Sequence, residues 1–449
     1  MSSSSPRPSW GAASHLTERV VQTLERFLHI EAVSGGVLIA AAAVALLWAN
    51  SPWSHAYDAL WHLPVSVGVG AFTTTQTLHF VVNDCLMTIF FLVAGLEIRR
   101  ELHEGALADL RSAALPLVAA IGGVIAPALI YLAFNASTEP QGWAVPIATD
   151  IAFALGVLAL LGRSIPGGIR VLLLALAIID DILAVLVIAF VYSHDLQWSG
   201  AWIALAAVAL VLLLQRLGIR SAVAYVGPGA LLWFGLWQLG VHPTLAGVIL
   251  GLMTPALPLA DRSVAETVSA SLADTAKRAR VHGPAHREIV DSVGSIQSAQ
   301  LALVPPVVSV QSALHGWVAY GIMPLFALAN AGVAIGGLSL ASTQETALVV
   351  GVALGLLVGK PLGILTLSWL TIRIGLCTLP NDVGWRGLFL IAVLGGIGFT
   401  MSIFIAALAF TDAALLANAK FAVLIASALA AVIGLGLGKL LFRGSVADR

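Results

Sequence analysis

Two adjacent aspartates, Asp180 and Asp181, interrupt an otherwise uncharged apolar stretch that runs from Val171 to Tyr192. The 22 residues of this stretch are enough for a helix to cross the roughly 30 Å hydrocarbon core of a bilayer. A carboxylate at that depth costs about 2.5–3.5 kcal/mol on insertion scales, so deep ionisable groups usually face a cavity and mark the path of an ion or a proton. The pair is therefore the first candidate for chemistry.

The geometry of a helix limits what the two carboxylates can do together. Successive side chains point about 100° apart, so both can border one cavity but cannot face each other as a catalytic pair. Two carboxylates in one low-dielectric site do not readily ionise together, so the site needs bound protons or a cation. A small hard cation such as Na⁺ prefers oxygen ligands and competes with protons for them. The pair predicts cation–proton exchange, against the alternative of a buried pair that serves packing only.

One lysine lies as deep in the predicted bilayer as the aspartates. Lys360, in "GLLVGKPLGIL", is positioned to neutralise either Asp180 or Asp181, and the adjacent proline and glycines allow its helix to bend. Two other charges, Glu97 and Lys420, lie near the ends of their spans and can reach the membrane interface by snorkelling.

Two predicted spans carry signs of an interruption. In "VPIATDIAFALG", Thr149 and Asp150 resemble the start of a helix after a break, where a carboxylate offsets the positive end of the helix dipole. In "VLGGIGFTMSIFI", the glycines around Gly396 weaken the helix ahead of Thr400. Interrupted helices in corresponding positions of two halves point to a transporter binding site. We therefore expect spans 3–5 and 10–12 to be inverted repeats with broken spans 4 and 11, unless the glycines serve only close helix packing.

The composition is that of an all-α polytopic membrane protein whose partner is the lipid bilayer. Of 449 residues, 59% are hydrophobic and 10% charged, whereas soluble domains carry about 25% charge. The net charge of −1 and the lack of a basic block give no sign of a nucleic-acid partner. Two cysteines, Cys85 and Cys377, are too few to predict a disulfide framework or a metal site.

Twelve spans fit the apolar pattern. They are predicted at residues 32–49, 80–98, 113–134, 146–162, 171–192, 199–215, 221–238, 244–258, 315–336, 346–371, 387–408 and 416–438. Lys and Arg fall in every second connection, and none occurs at 50–79, 135–145, 193–198, 239–243, 337–345 or 409–415. The positive-inside rule then places both termini in the cytoplasm.

The predicted organisation is a cytoplasmic segment at 1–31, a twelve-span domain at 32–442 and a cytoplasmic tail at 443–449. The mixed residues before the first span give no sign of a cleavable signal peptide. The extracytoplasmic connection 50–79 fits either a small β-hairpin or an irregular loop. The cytoplasmic loop 259–314 contains a stretch at 266–283 that fits either an exposed helix or a solvated linker.

Seven stretches together resemble the NhaA-type sodium/proton antiporters and extend over roughly residues 28–441. They are "NDCLMTIFFLVAGLEIRREL", "ATDIAFALGVLALLG", "LALAIIDDILA", "GVHPTLAGVILG", "PLFALANAG", "VGKPLGI" and "GIGFTMSIFIA". The resemblance implies that Asp181 is the main ligand of Na⁺ and that Asp180 carries a proton or pairs with Lys360. It places Thr149 and Asp150 near the cation.

The resemblance also implies a physiological setting. The family exports one Na⁺, and by our expectation also Li⁺, for two protons that move inward through a bacterial inner membrane, so transport is electrogenic. No cofactor is expected, and the 50–79 connection is expected to join a homodimer. Positions linked to a cytoplasmic funnel or a pH response match Asp84, Glu97, Glu101 and His315, and His242 at an outer connection is a further candidate for a pH response.

One stretch departs from the family pattern. In "VQSALH", Gln311 and Ser312 stand where a glutamate and a histidine are usual, immediately before His315. We therefore expect competition between Na⁺ and protons for shared oxygens, rather than a separate switch, to set the pH dependence.

Three other classes of function are compatible with deep aspartates. An intramembrane aspartyl protease needs its two aspartates on different helices, so an enzyme is not expected. A sodium-coupled transporter of organic solutes needs additional polar or cationic groups for its substrate. A channel or a sensor is the remaining alternative.

Overall fold

A computed structural model describes residues 33–69, 72–105, 108–193, 196–219, 221–257, 304–337, 342–380 and 382–442. The predicted segments at 1–31 and 443–449 lie outside this part of the chain, as does the stretch at 266–283 that was expected to be a helix or a linker. The described residues are mainly helical, which confirms the predicted fold class.

Within these ranges nine helices are long and apolar enough to cross a membrane. They are Leu78–His103, Ala113–Asn135, Pro140–Leu160, Gly167–Val191, Trp198–Arg216, Ala222–Leu239, Pro306–Asn330, Thr343–Ile374 and Ala413–Phe442. Two bent pairs, Val33–Ala49 with Ser54–Trp61 and Gly384–Gly395 with Phe399–Ala409, raise the number to 11 if each is one span. The eighth predicted span contains only the nine-residue helix Leu245–Met253.

Several spans contain more than one type of helix. Span 2 begins with Leu78–Phe80 and the π-helical turn Val81–Leu86, and continues as Met87–Glu104. Span 9 has a π-helical turn at Val318–Ile322 between Pro306–Trp317 and Met323–Asn330. Span 10 has one at Gly355–Gly359 between Thr343–Leu354 and Lys360–Ile374. The last turn precedes Pro361, which lacks the N–H that a regular α-helix would use there.

The other long helices of this part of the chain are α-helical throughout, although Leu110–Asn135 contains Pro116 and Pro127. Their bounds are Leu110–Asn135, Gly167–Val191, Trp198–Arg216, Val226–Leu239 and Ala413–Phe442, with short 3₁₀ turns at Gly162–Ser164, Ala222–Tyr225 and Ile335–Gly337.

The predicted starts of spans 9 and 4 were wrong, and span 2 runs to Glu104, six residues past its predicted end at 98. Span 9 begins at Pro306, inside the predicted loop 259–314, because proline is favoured in the first turn of a helix, where its missing N–H has no partner to lose. Span 4 begins with a 3₁₀ helix at Pro140–Ile147, inside the predicted connection 135–145, although its polar residues resemble a loop.

The connection between spans 1 and 2 contains a β-hairpin, which decides between the two alternatives for residues 50–79. Strand Pro64–Val69 pairs antiparallel with Phe72–Thr77, in a register that joins Pro64 to Thr77. The side-chain hydroxyls of Ser66 and Thr75 lie 2.8 Å apart across the pair. The short helix Ser54–Trp61 precedes this hairpin.

The spans pack in two sets whose boundary matters for the site. Spans 3, 4, 5, 10, 11 and 12 contact one another extensively and are called the core set below. Spans 8 and 9 pack on span 2, and these three are called the flanking set. Spans 2 and 5, and spans 9 and 11, meet across the boundary. Spans 3–5 and 10–12, the proposed repeats, thus form one body.

The closest crossing within the core set joins spans 3 and 10. A methyl group on Gly122 would overlap the carbonyl of Gly363, and one on Gly363 would overlap the carbonyl of Gly122. Such contact between backbones is available only to small residues, and it replaces the hydrophobic driving force that helices lack inside a bilayer. The neighbouring Gly123 lies against the side chain of Lys360, so this crossing also positions the deep lysine.

We expect Gly122→Ala to destabilise the protein by about 1–3 kcal/mol, the usual cost of inserting a methyl group into a packed contact. The readout is thermal unfolding of purified protein in detergent. Gly36→Ala is the matched control, because nothing lies within 4 Å of the added methyl group there. Equal melting temperatures for the two variants would contradict the close crossing.

Candidate ion-binding site

Two interrupted helices cross in the middle of the core set. The helix of span 4 resumes at Ile151 after a non-helical stretch that ends at Asp150, and span 11 is broken between Gly395 and Phe399 with a bend of 42°. The backbone N–H of Asp150 donates a hydrogen bond to the carbonyl of Ile397 across a distance of 2.7 Å. The predicted breaks in spans 4 and 11, including the one at Gly396, are therefore present and contact each other.

Asp150 connects the two resumed helices. Its Oδ1 atom accepts a hydrogen bond of 2.9 Å from the N–H of Phe153 in its own helix. Its Oδ2 atom accepts hydrogen bonds from the N–H of Thr400, at 3.0 Å, and from the Thr400 hydroxyl. One fully buried carboxylate thus lies at the positive ends of two half-helices. The sequence indicated this role for Asp150, and the structure adds Thr400 as its partner.

Asp180 lies in a closed polar cluster with the deep lysine. Lys360 Nζ is 2.9 Å from Asp180 Oδ2 and also donates to the carbonyl of Ile147. The Thr149 hydroxyl is 2.6 Å from Asp180 Oδ2 and 3.0 Å from the carbonyl of Gly395. Asp180 and Lys360 have side chains that are 0% exposed, so the pair is a desolvated one that needs these extra contacts.

Asp181 has a different environment. It borders a cavity of about 80 Å³, which is large enough for several water molecules. The cavity is also lined by Asp150 and by the flanking-set residues Glu97, His315 and Met323. Asp181 Oδ1 is buried and has no hydrogen-bond partner among the described residues. This oxygen is thus available to water, a proton or a cation.

The charges around Asp181 favour a positive occupant. Glu97, Asp180 and Asp150 repel a negative charge on Asp181, and Lys360 attracts it. Because Lys360 is already paired with Asp180, the carboxylates bordering the cavity are left in excess. A cation in the cavity would offset that excess of negative charge. The carboxylate oxygens of the lining are hard ligands, which suit Na⁺ better than a soft metal ion.

The predicted funnel and pH-response residues fall into two separate groups. Glu97 and His315 line the cavity, and Glu101 forms an ion pair with Arg100 at 3.5 Å near the same end of span 2. Asp84 lies in the same span, 13 residues before Glu97. Along a helix this separation is about 20 Å. The Oδ1 atom of Asp84 is 3.5 Å from Nε2 of His242. The structure therefore places Asp84 beside the connection between spans 7 and 8, at the other end of span 2 from Glu97 and Glu101.

Sequence reasoning missed two backbone hydrogen-bond acceptors of this region. The carbonyl of Ile147 accepts a hydrogen bond from Lys360, and the carbonyl of Gly395 accepts one from the Thr149 hydroxyl. The signal for them was available, because a broken helix leaves carbonyls without their usual intrahelical partners. Their partners could not be inferred from spacing alone.

Deep carboxylates at two crossed, interrupted helices within a bundle of membrane-length helices define a secondary transporter. The sequence model of the family described as Na⁺/H⁺ antiporter 1 matches residues 25–437. The chain belongs to this family.

Individual relatives are similar over nearly their whole length. The "Na(+)/H(+) antiporter NhaA" of Cupriavidus necator is 58% identical over 431 residues, which cover 96% of this chain and 92% of the relative. The protein of that name from Bordetella petrii is 56% identical over 439 residues, covering 96% and 94%. "Na(+)/H(+) antiporter NhaA 2" of Pseudomonas putida is 55% identical over 429 residues, covering 95% and 94%.

We expect Lys360→Met to lower the melting temperature in detergent strongly, because it leaves the Asp180 carboxylate buried without its cation, at a cost of about 3–5 kcal/mol. The double variant Lys360→Met/Asp180→Asn removes both charges and should recover most of that loss. A double variant that melts as low as the single one would show that the ion pair is not the cause.

Proposed function

We propose that this protein exchanges Na⁺ for protons at Asp181. The observation that carries the proposal is the unequal environment of the two aspartates. Asp180 is paired with Lys360 and does not line the cavity, whereas Asp181 lines the cavity and has no such cation beside it in the described part of the chain. Each aspartate has a buried Oδ1 atom without a hydrogen-bond partner among the described residues, but only Asp181 belongs to the cavity lining. A proton or a Na⁺ ion can occupy the Oδ1 atom of Asp181, but each weakens the binding of the other. If Na⁺ binds this oxygen from one side of the membrane and a proton binds it from the other, the result is exchange of Na⁺ for protons.

The charges around the site favour electrogenic transport. Asp181 supplies one position for a proton, and the Asp180–Lys360 pair supplies a second ionisable group next to it. Release of two protons for each Na⁺ bound moves one net charge per cycle. Li⁺, a hard cation of the same charge, is expected to bind the same oxygens. The names of the relatives support the Na⁺ and H⁺ assignment.

The setting that we propose is a bacterial inner membrane with both termini in the cytoplasm. The alternation of Lys and Arg along the chain supports this orientation. The cavity extends from Asp181 to Glu97, next to Arg99 and Arg100, so it would receive Na⁺ from the cytoplasm for export. Transport needs no cofactor and involves no enzymatic reaction or nucleic acid.

We further propose a homodimer joined through the hairpin Pro64–Thr77. In the described part of the chain the sheet has two strands, so an edge of each strand is available to a second copy. The hairpin lies in the outer connection, away from the cavity, and pairing there would leave the ion path unchanged.

Sodium-coupled transport of an organic solute is less well supported. A cavity of about 80 Å³ holds water or a small ion, whereas drug-sized ligands occupy pockets of roughly 300–1,000 Å³. The described lining combines apolar side chains with carboxylates, one histidine and one serine, and includes neither lysine nor arginine.

We expect Asp181→Asn to reduce exchange to background, because the variant loses an anionic ligand and a titratable group together. The measurement is Na⁺-dependent ΔpH in proteoliposomes, with melting in detergent to confirm folding. The control is Asp58→Asn, which makes the same change at an exposed outer residue. Appreciable exchange by folded Asp181→Asn would exclude Asp181 as the ion ligand.

Competition at Asp181 predicts a characteristic pH dependence. As pH rises, fewer protons occupy the shared oxygens, so the KM for Na⁺ should fall. At saturating Na⁺ the maximal rate should change much less with pH than the rate at low Na⁺. The test is a Na⁺ titration at several pH values in proteoliposomes. A constant KM with a maximal rate that collapses at acidic pH would indicate a separate pH switch instead.

A further inference from the structure

Three phenylalanines close the cavity on the side away from Arg99 and Arg100, which the charge pattern makes the outer side. The ring of Phe404 lies 5.4 Å from that of Phe91 and 6.2 Å from that of Phe326, and all three side chains are buried. Each lies about one helical turn outward of a residue that lines the cavity, namely Ala94, Met323 and Met401. An apolar layer therefore separates Asp181 from the outer side.

A polar cluster lies at the outer ends of spans 2, 9 and 12. Lys420 Nζ donates a hydrogen bond of 3.3 Å to Asn330 Oδ1. The amide nitrogen of Asn330 donates to Asn83 Oδ1 at 2.7 Å, and Asn330 Oδ1 is 3.2 Å from Nε2 of His79. Asn330 is fully buried, so its position is fixed by these contacts.

Lys420 differs from the deep lysine Lys360 in the group that it contacts. Its place in the sequence allows it to reach the membrane interface by snorkelling, but its ammonium contacts the buried amide of Asn330. In the described part of the chain no carboxylate lies within ion-pair distance of it, in contrast to the Lys360–Asp180 pair. Because Asn330 is neutral, the hydrogen bond between Lys420 and Asn330 can break without leaving a buried anion unpaired.

This bond crosses the boundary between the two sets of spans. Lys420 belongs to span 12 of the core set, and Asn330 belongs to span 9 of the flanking set. The contacts of Phe404 with Phe91 and Phe326 cross the same boundary. Any opening of Asp181 to the outside along this boundary must separate span 9 from spans 11 and 12.

We propose that the Lys420–Asn330 hydrogen bond is a latch that holds the outer side closed and is released each time the site opens outward. This inference rests on the proposed exchange, which requires access to Asp181 from both sides. The latch lies outside the ion-binding site, so its loss should change the balance between closed and open outer sides without removing an ion ligand.

The test is labelling of a cysteine from outside. Met401→Cys, in a Cys85→Ser/Cys377→Ser background, places a thiol in the cavity on the inner side of the phenylalanine layer. A membrane-impermeant maleimide is added outside oriented proteoliposomes, and Na⁺/H⁺ exchange is measured in the same preparation. Lys420→Met should increase the labelling rate roughly tenfold, the effect of losing one hydrogen bond of ordinary strength. Lys439→Met, the same change at the inner end of span 12, should leave it unchanged.

A second variant gives the opposite expectation. Asn330→Asp converts the neutral acceptor into a carboxylate, which should hold Lys420 more firmly and slow labelling below that of the parent. Damage to packing would not produce these two opposite shifts, and the second variant decides the matter if Lys420→Met does not fold. Unchanged labelling in either folded variant, with exchange intact in the parent, would overturn the latch. Absence of exchange in wild-type protein would instead overturn the proposed function.

Discussion

The hydrogen-bond demand of a broken helix inside a bilayer is the constraint on which this structure depends. The hydrocarbon core contains no water, so each freed backbone group needs a partner from the protein. Asp150 meets this demand for two helices at once, since its carboxylate accepts from Phe153 in span 4 and from Thr400 in span 11. The bond from Asp150 N–H to Ile397 joins the breaks directly. The carboxylate and the N–H of Asp150 thus stabilise the crossing of spans 4 and 11, because they bond the backbone groups that the two breaks leave free.

This arrangement determines how the aspartate pair is used. The Thr149 hydroxyl comes from the unwound part of span 4 and the Ile147 carbonyl from the end of the 3₁₀ helix just before it, and both help to hold Lys360 and Asp180 together. Oδ2 of Asp180 is then held by Lys360 and Thr149, whereas its Oδ1 atom is buried without a hydrogen-bond partner among the described residues. Asp181, the next residue, points in another direction because of the helical rotation and borders the cavity. Adjacent residues of the same type therefore have distinct environments, one in a buried ion pair and one at the cavity.

On the side of the cavity away from Arg99 and Arg100, two layers of different chemistry cross the boundary between the sets of spans. Near the site the barrier is apolar and consists of Phe91, Phe326 and Phe404, which leaves no ligand for an ion there. Farther out the contact between Asn330 and Lys420 is polar and can be exchanged for water. Apolar rings separate without leaving unsatisfied groups, and a hydrated lysine loses little when it leaves an amide. Both layers lie on the boundary between the sets of spans, where relative movement would be least costly.

The sequence by itself determined the class of fold, the approximate spans and the two interruptions. These features follow from local chemistry, since the bilayer dictates the length and composition of a span and glycine or Thr-Asp weakens a helix at its own position. The deep charges were evident because they are costly wherever they lie in a span. The choice of a hairpin over a loop, and the starts of spans 4 and 9 at Pro140 and Pro306, required the structure.

Only the tertiary structure decided which groups meet. The sequence left open whether Lys360 pairs with Asp180 or Asp181, because residues 180 places apart are brought together by packing of separate spans. The resemblance grouped Asp84 with Glu97, but the structure places Asp84 beside His242 at the other end of the span. The sequence allowed Lys420 to reach the interface, but the structure places its ammonium against Asn330. Helical periodicity fixes the direction of a side chain only about its own axis, and the neighbour that it faces depends on how the spans pack.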